Sequence, residues 1–149
     1  MKWEKSLVFQ GSSALTLDAK GRMSIPARHR DALLAQEQGR LTLTRHPDGC
    51  LMIYPRSTWE AKREQIAALP ASARPLQRLL LGNAQDVDMD GAGRILVAPE
   101  LRTAAGLNRD VMLLGLGSNF ELWDRAQWEA RCMVDVGNLD PAILEQISF

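Results

Sequence analysis

The sequence predicts an antiparallel α+β fold made of two copies of one small unit. Residues 18–22 (DAKGR) return as residues 90–94 (DGAGR), 72 positions later, and the block around Trp59 returns around Trp128, 69 positions later. Two blocks that recur in the same order at nearly the same separation indicate a duplication. The connections between predicted strands are short, and none has the long crossover that parallel strands require. These observations together favour a pseudo-twofold, antiparallel arrangement of strands with short helices.

Each copy is predicted to fold as ββαββα. In the first copy, alternating apolar residues predict strands over residues 14–17 and 22–25, joined as a hairpin by the turn at Asp18 to Gly21. Residues 11–13 (GSS) are expected to be a break before this hairpin. A helix over residues 27–35 follows, which Gly39 stops. The remaining elements of this copy are strand 41–44, turn 46–49, strand 51–54 and helix 57–69.

The second copy is predicted to repeat this order after a linker. Prolines at 70 and 75 break the pattern, and a linker helix over 76–81 ends at a Gly-Asn pair. The elements that follow are strands 84–89, 94–97, 111–114 and 120–123, a helix from Pro99, a helix over 124–132 with Asp124 as N-cap, and a weak helix over 141–147. The predicted domain bounds are 7–69 (first domain), 70–83 (linker helix), 84–132 (second domain) and 133–149 (C-terminal tail).

The composition is that of a globular protein that stays in the cytoplasm. The 149 residues carry a net charge of zero, and no apolar run approaches the length of a membrane span or follows the basic N-terminus as in a secretory signal. Each unit of this size would have only marginal stability on its own, so the two units should pack together or the chain should oligomerise. Cys50 and Cys132 are expected to be small buried residues, since neither has Cys or His neighbours at metal-ligand spacing. We therefore expect no metal.

Signs of an enzyme are weak. The chain has no phosphate-binding loop, no dinucleotide glycine fingerprint and no nucleophile elbow. His46 sits in a predicted turn, where a solvated side chain is the ordinary interpretation. Asp18 and Asp90 could act as paired carboxylates, but an Arg follows each by four residues, which favours local ion pairing or turn capping. We therefore expect no catalytic residues and no cofactor, and a hydrolase using these two carboxylates is the weakest hypothesis.

The two copies differ in charge. Residues 18–30 hold four Lys or Arg and one Asp, whereas residues 88–102 hold two Arg and three acids. Arginine can form bidentate hydrogen bonds to a guanine edge, and lysine can bind phosphates, so the first copy is suited to contacting DNA. A solvated basic face or salt bridges between subunits is the alternative. Because so few cations would bind DNA weakly, useful affinity would require several copies in one assembly. The candidate DNA-binding residues are Lys20, Arg22, Arg28, His29 and Arg30.

These residues lie in a chain that resembles the MraZ family. The doubled Asp-x-x-x-Arg pattern carries the resemblance, together with residues 9–11 (FQG), the linker 76–82 (LQRLLLG) and residues 120–123 (FELW). It covers about residues 7–132. The resemblance implies two SpoVT–AbrB-type domains with swapped hairpins. The internal repeat itself assigns Gly21, Gly93 and Arg94 to the turn motifs, with Asp18 and Asp90. Residues 1–8 extend beyond the family's usual short lead.

The resemblance also implies a function. Members of this family are transcriptional repressors of the division and cell-wall gene cluster, and they form closed rings, commonly of eight or more subunits, on direct repeats of promoter DNA. It implies that Arg22 is the main DNA-contacting residue, with Lys20 beside it, and that the protein works at the nucleoid. Arg94 matches the motif, but its acidic surroundings favour a structural or weaker role. A ring-forming scaffold that binds an acidic protein instead of DNA remains the principal alternative.

Overall fold

A computed structural model describes residues 7–147. Within these residues the strands are β1 (Phe9–Thr16), β2 (Arg22–Ser24), β3 (Arg40–Arg45), β4 (Leu51–Pro55), β5 (Gln85–Asp88), β6 (Arg94–Leu96), β7 (Asp110–Gly117) and β8 (Phe120–Asp124). The helices are α1 (Ala27–Glu37), α2 (Arg56–Ala67), α3 (Arg74–Leu80), α4 (Pro99–Ala104), α5 (Arg125–Gly137) and α6 (Pro141–Glu145), with a 3-10 turn at Ala71–Ala73. Each copy therefore has the predicted ββαββα order.

The strands form one antiparallel sheet and one small ribbon. The sheet has the order β1-β7-β8-β4-β3-β5, and the ribbon consists of β2 and β6. Strands of the two copies are interleaved in the sheet, because β1 pairs with β7, β4 with β8 and β3 with β5. The predicted antiparallel α+β class, with two intertwined copies, is confirmed.

The predicted local hairpin between residues 14–17 and 22–25 is wrong. Leu15 pairs across to Val111 in β7, and Met23 pairs with Ile95 in β6, so both strands of the expected hairpin find partners in the other copy. Alternation of apolar residues specifies that a segment is a strand, but it does not specify the partner. The pairing is reciprocal, because β5, the equivalent of β1 in the second copy, pairs with β3 of the first. The swapped-hairpin arrangement that the family resemblance implied is the one observed.

Two further boundaries differ from the sequence predictions. The expected break at residues 11–13 lies inside β1, where Gly11 stands opposite Gly115. Strand β1 is at the edge of the sheet, where small polar residues on an exposed face are tolerated. Helix α5 runs to Gly137 rather than ending near Cys132.

One hydrophobic core joins the two copies. Phe9, Leu33 and Leu43 of the first copy are buried in the same cluster as Ile95 and Phe120 of the second. This satisfies the expectation that two small units would have to pack on each other. Three tryptophans of the described residues lie outside this cluster. Trp59 of α2 is buried against Tyr54, and Trp128 of α5 packs against Trp123.

The domain bounds given above stay a prediction. Across residues 7–147, no helix is long and apolar enough to cross a membrane. The N-terminal extension noted in the sequence falls mainly on residues 1–6, which lie outside the described residues.

Candidate nucleic-acid interface

The two Asp-x-x-x-Arg turns lie side by side, and we call residues 18–22 and 90–94 the paired turns. The β2–β6 ribbon brings them together, with Ser24 opposite Arg94. Each strand end also bonds to the turn of the other copy: Ile25 N donates to Gly93 O at 2.9 Å, and Val97 N donates to Gly21 O at 2.9 Å. The paired turns are therefore built by both copies together.

Asp18 organises the first turn. Its Oδ1 accepts hydrogen bonds from the backbone N–H groups of Lys20 and Arg22, both at 2.9 Å, and its Oδ2 lies 2.8 Å from Arg22 Nε. The backbone hydrogen bond from Arg22, followed by its side-chain bond, lowers the pKa of the Asp18 carboxyl despite some desolvation. Gly21 closes the turn with φ of +82°, a conformation that side chains with a β carbon rarely adopt.

Asp90 organises the second turn in the same way. Its Oδ1 accepts from Ala92 N and Arg94 N, both at 2.9 Å, and Arg94 Nε lies 2.9 Å from its Oδ2. The backbone bond from Arg94 is again the largest cause that lowers the pKa of this carboxyl. A pair of carboxylates working as acid and base needs pKa values pushed apart, with one raised. The geometry of these two carboxyls is instead that of turn caps.

The candidate basic residues of the first copy occupy different environments. Lys20 is exposed at the tip of the turn, and the Arg22 side chain is 30% exposed. Arg28 is exposed on α1 and donates to Ser13 Oγ at 2.8 Å. Arg30 lies against Gly93, in the turn of the second copy. The structure thus places Lys20 and Arg22 on one turn, while Arg30 supports the other.

His29 is not on this surface. It is 6% exposed and packs edge-on against the rings of Phe9 and Phe120, with centroids at 5.6 and 5.0 Å. Its Nε2 accepts from Arg28 Nε at 3.1 Å. Burial, followed by the charge of Arg28, lowers the pKa of this imidazole. The repeat could have predicted this burial, because the equivalent position in the second copy is Leu101, an apolar core residue.

Sequence reasoning missed Arg102 as a neighbour of the first turn. Its Nε donates to Val97 O at 3.0 Å, and its guanidinium lies over Gly21. The signal was again the repeat, because Arg102 is the equivalent of Arg30 and each packs on the turn of the other copy. The surroundings of the two turns differ in charge: Ala92 replaces Lys20, and Glu100 replaces Arg28.

Cys50 also differs from its expected setting. It is buried as predicted, but the fold brings His46 and Glu121 beside it, with potential ligand atoms all within 4.8 Å of one another. His46 is half-buried rather than a solvated turn residue. The spacing of residues along the chain did not predict this group, because Glu121 comes from the other copy. Cys132 is partly exposed, and both cysteines are free thiols.

Comparison with known proteins identifies the family. The family model described as "MraZ protein, putative antitoxin-like" matches residues 8–81 and 80–132. The chain is 68% identical to "Transcriptional regulator MraZ" of Bordetella pertussis, over 142 residues that make up 95% of this chain and 100% of the relative. Over the same coverage it is 62% identical to the protein of that name from Janthinobacterium sp. and 58% identical to that from Acidovorax sp.. The chain therefore belongs to the MraZ family.

Proposed function

We propose that this protein is a transcriptional regulator that binds specific DNA sequences through the paired turns and represses the gene cluster for division and cell wall. The observation that carries the proposal is the exposed Lys20 and the partly exposed Arg22 on a turn that both copies hold in place. The relatives named above are called transcriptional regulators, which supports the regulatory part. Binding of this kind would place the protein at the nucleoid.

Arg22 is suited to reading a base edge. Its Nε is fixed by Asp18 at 2.8 Å, which restricts the side chain before any DNA arrives. An arginine has five N–H donors, so the terminal nitrogens stay available for a bidentate contact in the major groove. A side chain that is already ordered loses less conformational entropy on binding. We therefore assign sequence recognition to Arg22.

The other basic residues have supporting roles in this proposal. Lys20, exposed at the turn, is suited to a phosphate contact, and Arg28 offers a second cation on α1. Arg30 and Arg102 hold the turns from beneath, and buried His29 holds α1 on the sheet. Arg94 has the geometry of Arg22, but Ala92 and Glu100 replace the cations around it, so we assign it a weaker contact.

We further propose that the protein acts as a homo-oligomeric ring of eight or more subunits on repeated promoter DNA. With a net charge of zero and few cations on each turn, one subunit would bind DNA weakly, whereas linked sites add avidity. The C-terminal helices offer apolar surface for association, since their large hydrophobic side chains are exposed: Met133, Val134, Val136, Leu139, Ile143 and Leu144. That surface equally suits the alternative, a ring-forming scaffold without sequence-specific DNA binding.

A titration of labelled promoter DNA distinguishes the two functions. Fluorescence anisotropy would compare a fragment carrying the direct repeats upstream of the gene with a scrambled fragment, at two salt concentrations. The proposed regulator binds the repeats more tightly than the scrambled DNA and loses affinity steeply with salt. Equal, weak binding to both fragments would favour the scaffold. Light scattering on the same sample tests the ring, because a monomer at micromolar concentration would contradict it.

A further inference from the structure

A cluster of metal-ligating side chains lies at the β3–β4 turn, outside the paired turns. His46 follows β3, and Cys50 precedes β4 in the same turn. Glu121 belongs to β8, which pairs with β4 so that Glu121 stands opposite Met52. Imidazole nitrogen, thiolate sulfur and carboxylate oxygen are the three donor types that proteins use for zinc. Two elements of the first copy and one of the second therefore converge on one point.

The distances suit a small ion. The three potential ligand atoms lie within 4.8 Å of one another, and His46 Nε2 is 3.8 Å from Glu121 Oε2. Ligand atoms around a tetrahedral zinc are about 3.3–3.8 Å apart, given bond lengths of about 2.0–2.3 Å. Closing the cluster onto an ion thus requires side-chain shifts of about 1 Å, which rotation of His46 and Glu121 can supply.

A neighbouring side chain already orients Glu121, and the Asp48 carboxylate lies near His46. Trp123 Nε1 donates to Glu121 Oε1 at 2.9 Å, which turns the other carboxylate oxygen toward His46. His46 Nδ1 accepts from Asp48 N at 2.9 Å and lies 3.7 Å from the Asp48 carboxylate. The bond from Asp48 N requires an unprotonated Nδ1, so an ion at Nε2 moves the ring proton to Nδ1 and breaks that bond. The Asp48 carboxylate, 3.7 Å from Nδ1, is then the group that can accept a hydrogen bond from the new N–H. Such carboxylate–histidine–metal arrangements fix metal-ligating imidazoles in proteins.

The charges of the site are mixed. Cys50 is 2% exposed and free, so an ion that binds its sulfur has to displace the thiol proton to solvent. The thiolate and the Glu121 carboxylate would then neutralise a divalent cation. Arg131 lies over the Trp123 ring at 5.2 Å and 3.8 Å from Asp48, and its positive charge weakens the attraction. We therefore expect moderate rather than extreme affinity.

We propose that His46, Cys50 and Glu121 bind one zinc ion, with water as the fourth ligand, and that the ion ties the β3–β4 turn of the first copy to β8 of the second. Ion binding forms three bonds to the protein, displaces water from the ion and releases the Cys50 proton. Because the ligands come from both copies, a bound ion stabilises the contact between them. The alternative is a plain apolar contact of Cys50 with Trp123 and Leu114, beside a histidine–glutamate pair.

Cobalt reports directly on a thiolate ligand. Tag-free full-length protein, stripped of metal and kept reduced, would be titrated with Co²⁺, and zinc would then be added as competitor. The proposal predicts a near-ultraviolet thiolate-to-cobalt band and visible bands of tetrahedral cobalt, saturating at one ion per chain and abolished by zinc. The matched variants are Cys50→Ser, which should lose the thiolate band, and Cys132→Ser, which should keep it. A wild-type protein without the band, or a band that survives in Cys50→Ser, overturns the proposal.

A second pair of variants keeps the test decisive if Cys50→Ser does not fold. His46→Gln and Glu121→Gln alter side chains that are 23% and 16% exposed, so they disturb the core less. Each should weaken zinc binding by about tenfold or more, measured by competition with a colorimetric chelator. Zinc should also raise the melting temperature of wild type and of Cys132→Ser. Unchanged zinc affinity in both glutamine variants contradicts the assignment.

Discussion

Arg102 lies directly over Gly21, so that a β carbon built onto this glycine would come within 2.6 Å of the Arg102 Nε. Arg102 is in α4 of the second copy, and Gly21 is in the turn of the first. Arg30 of α1 has the reciprocal relation with Gly93. Each helix therefore supports the turn of the other copy. The residues that join the two copies are consequently the same residues that hold the proposed DNA-binding turns in place.

Replacing Gly21 by alanine should destabilise the fold. The variant places a β carbon at φ of +82° and displaces Arg102 from its bond to Val97 O. We expect a loss of about 1–3 kcal/mol in the free energy of unfolding, measured with urea. Gly91→Ala is the matched control, because no described atom outside its two chain neighbours lies within 4 Å of its β-carbon position. Equal effects of the two substitutions would contradict the account of the turn.

Asp124 should contribute more to stability than the other aspartate caps. It is 4% exposed, and it accepts from Gln127 N at 3.2 Å at the start of α5 and from Asn108 N at 3.1 Å. Asp124→Ala should cost about 1–2 kcal/mol of unfolding free energy. Asp140→Ala removes the cap of an exposed five-residue helix and should cost much less. Thermal and urea unfolding would compare the two, and a larger loss in Asp140→Ala would contradict this ranking.

Stability should fall as the pH falls through the titration range of histidine. The folded state holds His29 with a pKa below its ordinary value of 6.5, so the unfolded chain binds more protons below that pH. The free energy of unfolding therefore decreases as the pH falls through about 6.5, the ordinary pKa of the imidazole. His29→Leu, which copies Leu101 of the second copy, should flatten this slope. The slope would be measured by urea unfolding in the presence of a chelator, and an unchanged slope in His29→Leu would contradict the assignment.

Lys20 should set part of the salt dependence of DNA binding. If each DNA-contacting subunit places Lys20 on one phosphate, Lys20→Ala lowers the slope of log affinity against log salt by about 0.9 per contact. Affinity should fall for promoter and scrambled DNA alike, since phosphates carry no sequence information. Lys62→Ala on exposed α2 removes the same charge and should leave the slope unchanged. Equal slopes for Lys20→Ala and wild type would exclude the phosphate contact.

The sequence was sufficient for the element order but not for the strand pairing. The alternation at Leu15 and Leu17 identifies a strand, yet nothing local tells it to pair with Val111 rather than with Met23. The family resemblance, not the local pattern, supplied the swap. Burial of His29 was foreseeable from its equivalence to Leu101. The approach of Glu121 to Cys50 was not, because it depends on the pairing of β8 with β4 across the two copies.

The substitution Arg22→Ala tests the proposed function most directly. Promoter affinity would be measured by fluorescence anisotropy and the oligomer by light scattering, for wild type, Arg22→Ala and Arg63→Ala. Arg63 is an exposed arginine on α2, which packs on α3, β3 and β4, and it serves as the matched control. We predict that Arg22→Ala keeps the oligomer but loses preference for the repeats, while Arg63→Ala retains both. An Arg22→Ala protein that keeps its oligomer and binds the repeats as tightly as wild type would contradict the proposed site.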